Sequence, residues 1–267
     1  MRLERASFEQ VVSPTAEPSL PTVLAALIAP LPTLGALDRM LLRGMAIAGL
    51  ARVSALRGLA HIGPDRDPFI LALNHNSRQE ALLLPPLLFL LRGGRRIHFL
   101  ADWNFRLIPG IDLLYRRAGA ITVTRKSAKP RLLNLIKPLF ADAVPPFEQA
   151  RQHLIAGLSV GIFPEGTVNR DPRQLLRGRY GAARLSLETG VPVIPAGIRF
   201  SPRPGAPAAE GRMDIVVGPA LPTPSIGARP FTFADVQARH AEMMSAISLL
   251  AGKSWAHTTQ ETNHEAV

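Results

Sequence analysis

Cysteine is missing from this sequence of 267 residues. The chain therefore offers no thiolate nucleophile, no cysteine-ligated zinc and no cysteine-held iron–sulfur cluster, although its redox compartment stays open. Charged residues are also few, at 19%, against 47% hydrophobic residues. This composition excludes wholesale disorder and predicts a globular chain long enough to bury a core without disulfides.

Acidic residues are scarce beside basic ones, with 20 Asp and Glu against 31 Lys and Arg, for a net charge of +11. Such an excess favours anionic partners: phosphate esters, CoA, an acidic carrier protein, anionic lipid or nucleic acid. Much of it falls in two stretches, 92–131 with ten basic and two acidic residues, and 170–184 with five and one. Because both flank short polar motifs, they predict an anion site, although two solvated basic faces would give the same pattern.

Aromatic residues are sparse as well, with two Trp and two Tyr. The sequence contains no helix-turn-helix, RNA-recognition or zinc-finger pattern, and its basic stretches interleave with apolar runs rather than forming one exposed stripe. We therefore expect no nucleic-acid partner. Nucleic-acid binding is kept as an alternative explanation of the positive charge.

The N-terminal region lacks an unbroken segment that could span a membrane as one straight helix. The first 20 residues contain three glutamates and predict no secretory signal. Residues 18–37 carry no charge but contain four prolines, whereas residues 37–59 combine an apolar stripe with four arginines. The second pattern is typical of an interfacial helix. Residues 1–59 are thus predicted to be a helical membrane-docking segment, with a helix hairpin packed on its own domain as the alternative.

The rest of the chain alternates short apolar runs with helical patterns. The runs predict strands at 69–73, 95–102, 119–125, 159–166, 191–200 and 213–221. The helical patterns fall at 79–92, 111–118, 147–157, 175–190 and 231–250, with a basic connection and a short helix over 126–147. This order predicts an α/β fold with a mostly parallel central sheet flanked by helices. We assign residues 60–252 to this domain and residues 253–267 to a flexible tail.

Two polar motifs follow predicted strands, and the chemistry of such sheets lies beyond the carboxyl ends of the strands. His75 leaves the strand at 69–73, and Glu80 follows it by five positions. A carboxylate bonded to one imidazole nitrogen fixes the tautomer and raises the basicity of the other nitrogen. This is the base half of a triad without a nucleophile, so the nucleophile would be a substrate hydroxyl. The alternative is a capping histidine beside a solvent-facing glutamate.

The second motif is FPEGT at 163–167. Glu165 could accept hydrogen bonds from substrate hydroxyls, Gly166 permits close backbone approach and Thr167 offers a hydroxyl, although an ordinary turn would have the same composition. Arg125 ends the strand predicted at 119–125 and could hold a phosphate through two hydrogen bonds. A solvated strand-end charge is the alternative for Arg125.

A third pattern, GLSVG at 157–161, matches the G-x-S-x-G of serine hydrolases. That nucleophile elbow needs a strand before the serine and a helix after it. Here the predicted order is reversed, which opposes Ser159 as a nucleophile.

Together the motifs resemble the glycerolipid acyltransferase family, the family of bacterial 1-acyl-glycerol-3-phosphate acyltransferases. The resemblance covers about residues 60–222. It rests on the order and spacing of Asn74-His75 with an acid at position 80, GAITVTR at 119–125, FPEGT at 163–167, VPVIPAGI at 191–198 and MDIVVGPALP at 213–222. The combination of FPEGT with an upstream histidine–acid pair is specific, whereas neither half is specific alone.

The resemblance implies that His75 is a general base on an acceptor hydroxyl and that Glu80 orients it. It implies an acyl thioester of CoA or of acyl carrier protein as co-substrate, no other cofactor and no metal. A membrane lipid would be the partner, and the cytoplasmic face of the inner membrane the location, in a peripheral or monotopic arrangement. Acceptor or phosphate binding would fall to Asn74, Arg125, Glu165, Gly166 and Thr167, with support from Arg78, Pro164, Pro192 and Pro195.

Two departures from the family pattern bear on the acceptor. The family has aspartate where this chain has Glu80, and residues 126–147 are longer than usual between two motifs. The expected reaction is transfer of a fatty acyl group to a lysophospholipid or glycerol-phosphate-type hydroxyl. A glycolipid or aminolipid acceptor is the alternative, and a non-catalytic lipid-binding relative is a further one.

Overall fold

The computed structural model describes residues 20–31, 34–108, 110–128, 130–200, 211–222 and 230–256. Within this part of the chain, seven strands form one sheet in the order β1-β7-β6-β2-β5-β3-β4. The pairs are parallel except β6 with β7, which are antiparallel. The strands are β1 (Val53–Arg57), β2 (Ile70–Leu73), β3 (Ile97–Asp102), β4 (Ile121–Val123), β5 (Ser159–Ile162), β6 (Val193–Phe200) and β7 (Met213–Val217).

Helices cover both faces of this sheet, which confirms the predicted mostly parallel α/β architecture. The α-helices are α1 (Leu20–Ile28), α2 (Ala36–Arg52), α3 (Arg78–Leu91), α4 (Ile111–Ala118), α5 (Pro146–Ile155), α6 (Gly181–Thr189) and α7 (Phe233–Ala251). Four 3₁₀ segments join them: Leu59–Ile62, Pro64–Arg66, Trp103–Leu107 and Arg131–Phe140. The last of these is the short helix predicted within 126–147.

The central strand β2 shows why the sheet is buried on both faces. Its residues are all apolar, so successive side chains enter opposite layers. Leu71 and Leu73 pack in one cluster with α3, while Ile70 and Ala72 pack in another with α5, α6 and α7. Burial of continuous apolar strands between two helical layers is what holds β2 and β5 at the centre, where both motifs begin.

The first helical prediction was wrong at its C-terminal end. The helix predicted over 37–59 ends at Arg52, and residues 53–57 form β1, a strand at the edge of the sheet. Val53 and Leu56 are buried against β7, and the Ser54 hydroxyl donates to the Met213 carbonyl at 3.0 Å. Pairing with a strand more than 150 residues away overrides the local helical pattern. In the described part of the chain, no helix combines the length and apolar character needed to cross a membrane.

The helix predicted over 175–190 was wrong at its start, because α6 begins at Gly181. The backbone of residues 175–176 instead bonds to distant groups. The Leu175 amide donates to the Ser254 carbonyl, and the Leu176 amide donates to the Glu165 carboxylate, both at 2.9 Å. Gly178 has a φ of +82°, which ends any helical run before α6.

The tail predicted at 253–267 begins as ordered structure. Ser254 forms a parallel β-bridge with Gln174, and the Trp255 indole donates to the Arg177 carbonyl at 3.3 Å. Residues 253–256 therefore pack along the segment that precedes α6. Residues 257–267 lie outside the described residues.

Candidate active site

The two polar motifs meet at one edge of the sheet. Strands β2 and β5 are parallel neighbours, with Ala72 paired to Ile162, so the segments that follow them emerge side by side. The segment after β2, residues 74–77, is called the catalytic loop below. The segment after β5 carries FPEGT.

His75 and Glu80 form a hydrogen-bonded pair, as the family resemblance implied, and Glu80 is not the solvent-facing residue that the spacing alone left open. The Nδ1 atom of His75 lies 2.8 Å from Oε1 of Glu80. Ser77 caps α3 and Glu80 is its third helical residue, in a reciprocal capping box. The cap turns the chain so that the side chain of Glu80 reaches back to the imidazole. A bond at Nδ1 leaves Nε2 as the ring nitrogen that can take a proton from a substrate.

The Glu80 carboxylate is fully buried. Its Oε1 also accepts from the backbone amides of Asn76 and Ser77, the latter at 3.1 Å, while Oε2 has no hydrogen-bond partner among the described residues. Burial raises the pKa of Glu80, and its bonds to His75 and to the two amides oppose that shift in part. The buried carboxylate, bonded to Nδ1, fixes the orientation and the tautomer of the imidazole ring.

The imidazole ring is fixed from a second side. Phe163, the residue after β5, stacks on His75 with ring centroids 4.5 Å apart. The His75 side chain is 11% exposed, so it is held by its neighbours yet retains contact with solvent. The ring is therefore oriented by Glu80 and Phe163 together.

Glu165 lies directly beside the pair, but both of its oxygens are bonded within the protein. Oε1 accepts from the His75 amide at 2.9 Å, and Oε2 accepts from the Asn169 side chain at 2.7 Å and the Leu176 amide at 2.9 Å. The Asn169 amide in turn donates to the His75 carbonyl at 2.7 Å. In this structure Glu165 braces the catalytic loop, and its predicted contact with substrate stays a prediction.

Replacing Glu165 with glutamine should therefore destabilise the fold. A glutamine that keeps its side-chain oxygen toward the His75 amide places its side-chain N–H groups against the Asn169 side chain and the Leu176 amide, which are both donors. We expect the free energy of unfolding to fall by about 1–3 kcal/mol in urea denaturation, the cost of leaving buried donors unpaired. Glu148→Gln is the control, because Glu148 pairs with Arg151 on the surface, where solvent screens the pair and the substitution should leave the free energy of unfolding nearly unchanged. Equal losses for both variants would contradict the bracing role.

Two asparagines attach the catalytic loop to β6. Asn74 is fully buried; its Nδ2 donates to the Ile198 carbonyl at 3.0 Å, and its Oδ1 accepts from the Ile198 amide at 2.7 Å. The Asn76 side chain donates to the same carbonyl at 2.9 Å. Asn74 thus anchors the loop, and its predicted role in substrate binding stays untested. Sequence reasoning missed Asn76, Phe163 and Asn169; Asn76 and Phe163 adjoin motif residues, which was the available signal.

The other predicted site residues divide into two groups. Gly166, with a φ of +67°, and the buried Pro164 lie in the FPEGT turn, and a Cβ on Gly166 would come 2.4 Å from Nε of Arg179. Thr167, Arg78 and Arg125 are exposed. Arg125 follows β4, which lies two strand spacings, roughly 10 Å, from β5 and three spacings, roughly 14 Å, from β2.

The prolines predicted as support lie in and before β6. Pro195 lies within β6 opposite Ala72, and Pro192 precedes β6, where its carbonyl accepts from the Ile70 amide at 2.9 Å. Pro192 is therefore at the end of the strands away from the catalytic loop, where it supports pairing of β6 with β2.

Ser159 lacks the geometry of a hydrolase nucleophile. It is fully buried at the start of β5, with α5 before it and the strand after it. Its hydroxyl donates to the Asp67 carboxylate and accepts from the Phe69 amide at 3.1 Å. Ser159 therefore connects residues at the end of the sheet opposite the catalytic loop. Among the described residues, no group of three or more His, Asp and Glu side chains could hold a metal ion.

An apolar pocket lies next to the site, between α3, β3 and α4. Its lining includes Phe99, whose ring contacts Phe163 with centroids 5.9 Å apart, and Phe163 stacks on His75. The remaining lining residues are small or apolar apart from one tyrosine: Ala81, Leu82, Pro85, Pro86, Ile97, Tyr115, Ala118 and Ala120. The pocket therefore lies on the α3 side of the sheet and adjoins the His75–Glu80 pair through Phe99 and Phe163.

Comparison with known proteins gives a family match and a fold match. A family model described as Acyltransferase matches residues 56–199, more than half of the chain and the span that contains both motifs. The fold is similar to the crystal structure of PlsC, the 1-acyl-sn-glycerophosphate (LPA) acyltransferase of Thermotoga maritima. That match has a TM-score of 0.53 and 19% sequence identity, and it covers 95% of this chain and 97% of that one. No curated protein sequence gives a significant match. The chain therefore belongs to the acyltransferase family, which confirms the resemblance carried by its motifs.

Proposed function

We propose that this acyltransferase moves a fatty acyl group from a thioester of CoA or acyl carrier protein to a hydroxyl of a lysophospholipid or glycerol-phosphate-type acceptor. The observation that carries the proposal is the 2.8 Å contact between His75 Nδ1 and Glu80 Oε1, at the strand edge that also bears FPEGT. An oriented histidine without a protein nucleophile suits a reaction in which the substrate hydroxyl attacks.

The reaction then proceeds as a direct transfer. His75 takes the acceptor hydroxyl proton at Nε2 as the oxygen attacks the thioester carbonyl carbon. The carbon–sulfur bond breaks, the thiolate leaves with that proton, and the ester remains on the acceptor. Glu80 stabilises the imidazolium that forms in between, and no acyl-enzyme arises.

The surroundings supply binding groups for both substrates. Exposed arginines at the site edge match phosphate chemistry, because a guanidinium holds a phosphate through two parallel hydrogen bonds. We assign this role to Arg125. Thr167, in FPEGT, is also assigned to substrate binding, and Arg78, at the start of α3, is assigned to support of the site; both are exposed. The apolar pocket beside Phe99 suits the acyl chain of the donor.

The test is a panel of acceptors and donors read by mass spectrometry. Purified protein is incubated with acyl-CoA or acyl carrier protein thioesters and with lysophosphatidate, other lysophospholipids, a glycolipid and an aminolipid. Acylation of phosphate-bearing lyso-acceptors supports the proposal. Acylation restricted to the glycolipid or aminolipid favours the alternative that Glu80, in place of the family's aspartate, suggests. Lipid binding without any transfer would reject catalysis.

We further propose that α1 and α2 dock on the cytoplasmic face of the inner membrane, in a peripheral or monotopic manner. Both helices leave large apolar side chains exposed: Ile28 at 79%, Met40 at 64% and Ile47 at 55%. Arg52 of α2 is exposed as well, whereas Arg39 and Arg43 are half-buried and donate to the carbonyls of Leu34 and Ala29. An exposed apolar surface next to a basic side chain suits anionic lipid.

The connection over residues 126–147, which contains the 3₁₀ helix Arg131–Phe140, is assigned to acceptor selection. Leu132, Leu135 and Leu139 are exposed on it.

The triple variant Ile28→Ser, Met40→Ser, Ile47→Ser should bind anionic vesicles at least about tenfold more weakly in co-sedimentation. Each buried aliphatic side chain contributes about 1.5–3 kcal/mol when it leaves water. The control is Ile155→Ser with Phe233→Ser, which removes two side chains of similar exposure, 63% and 62%, from α5 and α7 across the sheet. Equal vesicle binding by all three proteins would contradict docking through α1 and α2.

A further inference from the structure

Lys253, on the segment after α7, reaches the candidate active site from a part of the chain that no motif marks. Its Nζ donates to Oδ1 of Asn76 and, at 2.7 Å, to the backbone carbonyl of Asp171. Asn76 is the residue after His75, and its amide also donates to Glu80. Lys253 therefore touches the catalytic loop itself.

The charges around this lysine explain what it can do there. Two carboxylates, Glu80 and Glu165, are buried against the catalytic loop. Charged groups near the His75–Glu80 pair include Glu165, after β5, and Lys253; Asp171 lies beside the lysine. Burial lowers the pKa of Lys253, and the carboxylates of Glu165, Glu80 and Asp171 act against that shift. The ammonium is thus a partly buried positive charge in the field of both glutamates.

The same lysine joins two loops that hold the imidazole. It links Asn76 in the catalytic loop to Asp171, and Asn169, two residues before Asp171, donates to the His75 carbonyl and to Glu165. The backbone of the segment is anchored separately, because the Ser254 amide donates to the Arg173 carbonyl at 2.7 Å and its carbonyl accepts from Leu175. Loss of the lysine side chain would therefore leave the segment in place.

We infer that Lys253 is a positioning residue for the acyl-transfer reaction: it holds Asn76, whose backbone amide donates to Glu80, and it places a positive charge beside the buried carboxylates of the site. The inference rests on the proposed function, in which His75 is the base. Burial raises the pKa of Glu80, and loss of a neighbouring positive charge favours the neutral carboxyl further. The ionised form of Glu80 is then lost at a higher pH.

The test compares Lys253→Met, Lys253→Arg and Ser254→Ala with the unaltered protein. For Lys253→Met we expect kcat at pH 7 to fall about tenfold, KM for donor and acceptor to change by less than about threefold, and the acid limb of kcat/KM to move to higher pH. Lys253→Arg, which keeps the charge, should recover most of the rate. Ser254→Ala loses only the hydroxyl bond to the Arg173 carbonyl and should be unchanged in rate.

Three results would overturn the inference: an unaltered kcat and pH profile in Lys253→Met, an equal loss in Ser254→Ala, or a rise in KM alone, which would mark a substrate-phosphate ligand instead. Circular dichroism and thermal melting confirm that each variant is folded. Failure of the proposed function is separable, because a fully active His75→Ala protein would reject the base, whereas an inactive His75→Ala protein with a normal Lys253→Met protein rejects the lysine alone.

Discussion

Replacing His75 with alanine is expected to lower the rate of acyl transfer by about 100- to 10,000-fold while the protein stays folded. Proton transfer by a positioned side chain contributes a rate factor of this size. In the proposed mechanism His75 is the base of the pair with Glu80, so the substitution removes that factor. The rate of thiol release from an acyl-CoA donor, followed with a thiol-reactive dye, measures the loss. Added imidazole should restore part of the rate if the cavity left by the side chain admits it.

The control for this substitution is His61→Ala. His61 lies on the 3₁₀ segment Leu59–Ile62, between β1 and β2, so it precedes β2 and is remote from the catalytic loop that follows that strand. Its rate should stay within about twofold of the unaltered protein. Acyl transfer retained at full rate by a folded His75→Ala protein would reject general-base catalysis and with it the proposed mechanism.

Replacing Glu80 with glutamine should slow transfer by roughly tenfold to a hundredfold, less than the loss of His75. The amide oxygen can still accept from the backbone of Asn76 and Ser77, so the cap of α3 remains. The negative charge that stabilises the imidazolium is removed. Gln79→Ala, one exposed position earlier on α3, is the control and should be neutral. Equal rates for Glu80→Gln and the unaltered enzyme would remove Glu80 from the catalytic pair.

The same substitution should not reduce stability at pH 7. Burial raises the pKa of Glu80 in the folded state above its unfolded value, so the folded state binds more protons between those two values. The contribution of Glu80 to stability therefore falls as pH rises through that window, and the ionised form opposes folding. Glutamine removes this cost, which offsets the burial of its own N–H groups at the position where Oε2 of Glu80 has no partner among the described residues. Thermal melting of Glu80→Gln at or above the melting temperature of the unaltered protein, together with lower activity, is the expected combination.

The fold was predicted mainly from short apolar runs and from their alternation with helical patterns along the chain. Continuous apolar runs such as residues 69–73 can be satisfied only where both faces are covered, so they indicated a mostly parallel sheet without reference to partners. The prediction failed where distant pairing decided the outcome. Residues 53–57 and 175–176 had helical patterns, yet their backbone groups bond to β7, Ser254 and Glu165, none of which is near in sequence.

The same distinction between local and distant contacts applies to the residues of the site. The family resemblance implied the pairing of His75 and Glu80, while their spacing alone left a solvent-facing glutamate open. The structure shows that a capping box bridges the five-residue separation within one strand-to-helix turn. Glu165 was identified as part of the site from its motif, but its bonds within the protein were not predicted, since only the folded chain shows that three protein donors contact its oxygens. Lys253 gave no local signal, because its contacts with Asn76 and Asp171 span 177 and 82 residues.

The sequence by itself determined the α/β class, the acyltransferase resemblance and the histidine–glutamate pair, because each depends on residues that are close along the chain. The tertiary structure alone decided which groups surround that pair. Hydrogen bonds and charges act over a few ångströms in space, and folding brings β5, the segment before α6 and the segment after α7 within that range of a loop far from all three in sequence.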